Sequence, residues 1–130
     1  MGSRSPRRAQ ATACAALFLN VALAFYQLKE LDRAEEYYIR ARSETDDGEV
    51  ARRSSSLLAD LYLERKEYIK AEREYKEILE SDPGSADAYF GLGEVYRLSG
   101  TDVSAARRMY REALRLNPSH VGAALQYYGR

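Results

Sequence analysis

The stretch 86–117, ADAYFGLGEVYRLSGTDVSAARRMYREALRLN, closed by Pro118, constrains the fold of this chain more than any other. Its apolar residues follow a helical period twice. Tyr89, Leu92, Gly93 and Tyr96 recur at i, i+3, i+4 and i+7, and Ala106, Met109, Tyr110, Ala113 and Leu114 do so again beyond a Gly turn. Each half is therefore an amphipathic helix, and the turn brings the two apolar faces together. Gly93, Ala106 and Ala113 are small where two helices must approach closely. Tyr89, Leu92, Tyr96 and Tyr110 are large where the gap must be filled.

The same pattern occurs earlier in the chain. Leu58, Ala59 and Tyr62 stand 34 residues before Leu92, Gly93 and Tyr96, and Ala71, Tyr75 and Pro83 stand 35 before Ala106, Tyr110 and Pro118. A first copy lies 37 residues earlier again, from Val21 to Leu58 and from Tyr38 to Tyr75. In it Phe18, Val21, Ala22 and Phe25 take the places of Tyr89, Leu92, Gly93 and Tyr96, while Ala34, Tyr38 and Ala41 take those of Ala106, Tyr110 and Ala113. The unequal offsets put the length differences in turns, near 101–104 and 46–51, where insertions are tolerated. The second copy departs from the third at Ser55 (a large aromatic position), Lys66 (where Gly ends the helix) and Ile78 (a small position), which predicts altered packing there.

The spacing of an aromatic, Leu-Gly and Tyr in one helix, then Ala-x3-Tyr-x2-Ala and Pro in the next, resembles the tetratricopeptide repeat (TPR). The resemblance implies an all-α fold in which helical hairpins stack into a right-handed superhelix, an α-solenoid. It sets repeats at about 15–48, 52–85 and 86–120, followed by a partial capping helix at 121–130 with Ser119 as its N-cap, all within a single domain 15–130. Residues 1–14 are expected to form an N-terminal extension, disordered at least to Arg8. The last helix presents Val121, Leu125, Tyr127 and Tyr128, which predicts an unsealed end.

Residues 9–28 carry no charge, follow Arg4, Arg7 and Arg8, and contain Ala22-Leu23-Ala24, a small-residue cleavage pattern. These are marks of a signal peptide or membrane anchor spanning 7–28. The repeat reading is preferred, because cleavage after Ala24 would strip the next helix of its partner. A cytoplasmic location is expected, with export or membrane anchoring as the alternative.

The chain has 130 residues with 20 basic against 20 acidic side chains, so no electrostatic bias points to nucleic acid or membrane, and no nucleic-acid partner is expected. A single cysteine, Cys14, rules out an internal disulfide, and with a single histidine, His120, it excludes most zinc-site spacings and leaves no histidine-based triad. Gly91-Leu92-Gly93 lacks the third glycine of a dinucleotide loop, Tyr96 standing in its place. Thr45-Asp46-Asp47-Gly48 reads as a turn and lacks the alternating ligands of a calcium loop. Arg52-Arg53-Ser54-Ser55 has the look of a kinase target, but Ser55 is expected to face inward. No catalytic residue, cofactor or metal is therefore expected, and the chain reads as a non-enzymatic protein-interaction scaffold or adaptor.

In the resembled family the first helices of successive repeats line a concave groove that holds a peptide or a partner helix. Carried onto this sequence, the groove positions are Ala16, Leu19, Asn20, Leu23, Tyr26 and Gln27 in the first repeat. They are Arg53, Ser56, Leu57, Asp60, Leu63 and Glu64 in the second, and Asp87, Phe90, Gly91, Glu94, Arg97 and Leu98 in the third. Phe90 and Arg97 are accordingly expected to matter for binding and not for folding. One subclass of the family clamps the C-terminal carboxylate of heat-shock chaperones with Lys, Asn and Arg. Here those positions hold Leu19, Leu23, Leu57, Asp87 and Gly91, so a chaperone carboxylate is not the expected partner. The expected partner is another protein, through a segment with an apolar anchor bound as helix or strand. A homo-oligomer formed through the terminal helices, around Phe18 and Leu125 to Tyr128, is the alternative.

Overall fold

The computed structural model describes residues 6–129, the side chains of Arg8 and Thr12 excepted. The expected disorder of residues 1–5 lies outside that range. The described residues form seven helices and no strand: α1 (Pro6–Gln27), α2 (Leu31–Ser43), α3 (Gly48–Glu64), α4 (Tyr68–Ser81), α5 (Ala86–Ser99), α6 (Val103–Leu116) and α7 (Val121–Tyr128). Their contacts divide the chain into two compact units, Met1–Leu61 and Tyr62–Arg130, where sequence reasoning expected one domain. Stacked hairpins touch only their neighbours, so no single core has to unite the chain.

In the first unit α1 packs on α2. Its buried apolar residues are Ala15, Leu19 and Ala22 of α1, Ala34, Tyr38 and Ala41 of α2, and Leu58, Ala59 and Leu61 of α3. Phe18 and Phe25 flank the Tyr37 ring at 5.8 and 5.6 Å, and the Arg40 guanidinium covers Phe18 at 4.3 Å. Helix α1 starts at Pro6, so Pro6 to Cys14, expected as an extension, are helical. Proline suits a first helical turn, and the alanine-rich run that follows has high helix propensity. The stretch Ala9–Gln27 is long and apolar enough to cross a membrane by length and composition, and only 18% of it is buried.

Helix α3 begins at Gly48, four residues before the expected repeat boundary, behind a turn in which Asp47 N–H donates to Thr45 Oγ1 (2.9 Å) and Glu49 N–H to Asp47 Oδ1 (2.9 Å). The inward serine is Ser54, fully buried, and not Ser55. Ser54 stands 34 residues before Ala88, the buried small residue of α5, so it takes a small-residue position; Ser55 is half-buried and its Oγ accepts from Arg42 Nη1 at 3.3 Å.

The first helix of every hairpin ends alike. Lys29, Lys66 and Gly100 all have left-handed backbones, with φ of 64°, 63° and 71°. At Lys29 and Lys66 the next amide reaches back five residues, Glu30 N–H to Phe25 O and Glu67 N–H to Tyr62 O. These are αL caps of the type glycine favours, because a left-handed lysine costs about 1–2 kcal/mol. The turn geometry thus persists through the substitution of lysine for glycine, and its spacing repeats the sequence offsets.

In the second unit α5 packs between α4 and α6, and α7 packs on α6. Ala71, Tyr75 and Ile78 of α4, Ala88, Leu92 and Val95 of α5, Ala105, Ala106, Tyr110 and Ala113 of α6 and Ala123 of α7 are buried. Tyr96 is half-buried and donates its hydroxyl to Glu72 Oε2 at 2.6 Å, tying α5 to α4. That bond holds the Glu72 carboxyl below its usual value, while burial and the same bond push the Tyr96 phenol up to about 12. Side chains cap each later helix: Ser85 for α5, Asp102 for α6 and His120 for α7. His120 replaces the expected Ser119 because its ring Nδ1 accepts the Ala123 N–H at 3.1 Å. Val121, Leu125 and Tyr128 remain exposed on α7.

Candidate functional site

The faces expected to meet a partner are set by how closely the helices of each hairpin approach. A Cβ built on Gly93 would stand 2.5 Å from Tyr110 Cε1, so the α6 ring lies directly on the α5 backbone. A Cβ on Gly91 would likewise collide with the Tyr75 ring of α4. Gly91, an expected groove position, is therefore buried packing surface on α5 and presents nothing to a ligand.

The ring over Gly93 carries its hydroxyl out to the surface of α5. Tyr110 Oη donates to Glu94 Oε1 at 2.6 Å and accepts from Arg97 Nε at 3.2 Å, while Arg97 Nη2 reaches Glu94 Oε2 at 2.9 Å. Burial, then donation to Glu94, drives the Tyr110 phenol above its usual range, and the carboxylate holds Arg97 more firmly protonated than usual. Two expected groove charges thus neutralise each other around a phenol that the sequence pattern marked only as core. The signal that could have found it is chemical: a buried tyrosine needs a partner for its hydroxyl.

Phe90 is half-buried, 5.9 Å from the Tyr110 ring and 4.9 Å from the His120 ring, and a Cβ on Gly122 would stand 2.9 Å from its Cζ. With His120 Nδ1 accepting from Ala123, the ring proton sits on Nε2 and is donated to Asp87 Oδ1 at 2.8 Å. Phe90 and Asp87 therefore anchor α7 on α5, which corrects the expectation that Phe90 is dispensable for folding. Leu63 and Glu64 lie at the end of α3, half-buried and exposed respectively, and Leu98 is exposed.

In the first unit the expected positions separate by burial. Leu19 is 4% exposed and belongs to the core. Asn20 and Gln27 are exposed, Leu23, Tyr26 and Leu57 are half-buried, and Arg53 and Asp60 are exposed. Tyr26, Arg53 and Asp60 all act on the buried Tyr38 phenol, which burial first and then Tyr26 and Asp60 push up to about 12, against the opposing pull of Arg53. Three side chains from α1 and α3 are thus gathered near one phenol of α2.

Replacing Phe90 by alanine removes the aromatic bridge between α5 and α7. The expected result is a loss of about 1–3 kcal/mol in chemical denaturation and early fraying of α7 in amide exchange; an unchanged midpoint with α7 protected would show that Phe90 is surface.

Residues 56–121 match a family model described as tetratricopeptide repeat. Among solved structures the fold is similar to the Arabidopsis OM64 TPR domain, at 18% identity over 92% of this chain and 95% of that one, with a TM-score of 0.78. It is also similar to the second TPR domain of human RPAP3 in complex with the HSP70 peptide SGPTIEEVD (18% identity, 91% and 96% coverage, TM-score 0.76). The first TPR of Spaghetti (RPAP3), bound to the HSP90 peptide SRMEEVD, matches at 17% identity, 88% of each chain and a TM-score of 0.75. At such identities the structures speak to the fold, and the family model speaks to the repeat itself. With the second half of α3 and all of α4 to α6 falling on that model, which spans half of the sequence, this chain belongs to the tetratricopeptide repeat family.

Proposed function

We propose that the chain is a non-enzymatic scaffold that binds a protein segment with an apolar anchor on the α1 and α3 faces of its first unit. One observation carries this reading: Leu23 of α1 and Leu57 of α3 are only half-buried, and Asn20 and Gln27 of α1 are exposed, so each leucine keeps part of its surface open. Half-buried leucines offer an apolar seat, and the two amides offer backbone-pairing groups to an incoming strand or helix. The RPAP3 domains of similar fold hold HSP70 and HSP90 peptides that end in Val-Asp. Here the clamp positions hold Leu19, Leu23, Leu57, Asp87 and Gly91, none of them cationic, so we extend the proposal to exclude such C-terminal carboxylates.

Peptide-display selection on the whole chain, followed by titration, tests both parts. Selected peptides are expected to share an apolar anchor and to lose at least about tenfold in affinity on the folding-neutral pair Asn20→Arg and Gln27→Arg. The peptides SGPTIEEVD and SRMEEVD are expected to show no saturable binding. Peptides indifferent to the α1 substitutions, or tight capture of either chaperone peptide, would overturn the proposal.

A second reading rests on α1. The stretch Ala9–Gln27 is apolar along a span that could cross a bilayer yet is only 18% buried, and Leu17 within it is 58% exposed. An apolar helix left so open to water is a candidate for membrane contact, with Arg7 at its start positioned to meet anionic headgroups. Flotation with anionic vesicles separates the two readings: co-flotation lost on Leu17→Glu favours membrane contact, and a chain that stays with the soluble fraction rejects it.

A further inference from the structure

Helix α6 carries a second surface on which no expected groove position lies. Ser104, Arg107, Arg108 and Arg111 of α6, together with Tyr127 of α7, line a cavity of about 160 Å³. Three guanidinium groups therefore share one small space, and no acidic side chain lines it. Arg107 and Arg111 are four residues apart and Arg108 and Arg111 three apart, so like charges repel along the helix face. The acidic residues in and beside α6 are committed elsewhere. Asp102 Oδ1 accepts the Ala105 N–H at 2.9 Å, and Glu112 Oε1 is held by Arg115 at 3.0 Å. Elsewhere the chain compensates its cations locally, as where Lys76 meets Glu72 at 3.1 Å and Lys70 meets Glu67 at 3.1 Å. In a chain of zero net charge, the three arginines that line this cavity form a local basic cluster.

The arginines are also partly arranged in advance. Arg107 lies over the Tyr127 ring at 4.2 Å and donates Nη1 to Tyr127 O at 3.2 Å, which fixes one guanidinium plane at the cavity wall. Arg108 and Arg111 are exposed and donate no hydrogen bond among the described residues, Arg108 acting on the Tyr96 phenol through its charge alone, so their donor forks face solvent. A planar fork of N–H donors matches the oxygens of phosphate better than an ammonium does. At about 160 Å³ the cavity has room for a phosphoryl group. A single carboxylate would balance one charge, whereas a phosphoryl dianion balances nearly two.

We propose that this α6–α7 cavity binds a phosphorylated side chain on a protein partner, at a surface separate from the α1 and α3 faces. The phosphoryl oxygens accept from Arg107, Arg108 and Arg111, the Ser104 hydroxyl adds a donor at the rim, and Tyr127 holds Arg107 in place.

The test uses the whole chain and reads the ¹H–¹⁵N resonances of the arginine Nε groups. The probe is a short peptide with a central phosphoserine and otherwise neutral residues, compared with its unphosphorylated twin, inorganic phosphate and a poly-uridine oligonucleotide. The phosphopeptide is expected to move the Arg107, Arg108 and Arg111 signals saturably, more tightly than inorganic phosphate, and the twin not at all. Replacing Arg108 and Arg111 by glutamine is expected to weaken the phosphopeptide by at least about tenfold, from loss of charge-assisted bonds, while the melting temperature stays level or rises as repulsion is relieved. Equal response to twin and phosphopeptide, response to inorganic phosphate as strong as to the peptide, tighter binding of the oligonucleotide, or no movement of the three signals would each overturn the proposal.

Discussion

The second unit depends on aromatic rings occupying space that side chains give up. On α5, Gly93 admits the Tyr110 ring from α6 and Gly91 admits the Tyr75 ring from α4, so one helix is gripped from two sides. Two glycines inside a helix cost about 1 kcal/mol each. A tyrosine buries about 150–250 Å² of surface, worth about 4–6 kcal/mol at 25 cal/mol per Å², so the close approach is favourable overall. The first unit reaches a similar closeness with alanines, Ala22 and Ala34 being fully buried. What varies among the repeats is which small residue stands aside.

This packing also decides what the surface can offer. The hydroxyls of Tyr110 and Tyr38 stand close to side chains that a groove would need. Tyr110 engages Glu94 and Arg97, and the Tyr38 phenol is felt by Tyr26, Arg53 and Asp60. Core packing and the charged surface of these helices are therefore linked through phenols. In the second unit the result is an ion network already balanced, which makes α5 a poor source of free charge. The half-buried leucines of α1 and α3 and the clustered arginines of α6 are the surfaces on which the two binding proposals rest.

The sequence made legible whatever depends on periodicity within one helix. The buried stripe Ala34, Tyr38 and Ala41, the buried Ala71 and Tyr75 and the Gly93 contact all follow from it. What it hid depends on a neighbouring helix. Gly91 lies opposite Gly93 in register, and only the arrival of Tyr75 from α4 makes it core. Phe90 looks free until α7 folds back and sets His120 and Gly122 against it. Ser54 and Ser55 differ by one step on the helix, about 100°, which a degenerate repeat cannot resolve. His120 served as a cap that side-chain preference alone assigned to serine, because an imidazole nitrogen accepts an amide as a hydroxyl does. The N-terminal reach of α1 was obscured by its arginines, whose charge suggested a polar extension and whose alanine-rich sequel formed helix instead.

The Tyr110 ring fills the space of the missing Gly93 side chain, and a double-mutant cycle with Gly93→Ala and Tyr110→Ala measures that contact. In the native background Gly93→Ala is predicted to cost about 1–3 kcal/mol in unfolding free energy as overpacking. Once the ring has been removed, the same methyl group has room, and its cost is predicted to vanish or become a gain, a coupling of at least about 1 kcal/mol. Costs that simply add, to within about 0.5 kcal/mol, would show that ring and glycine do not meet and would contradict the account.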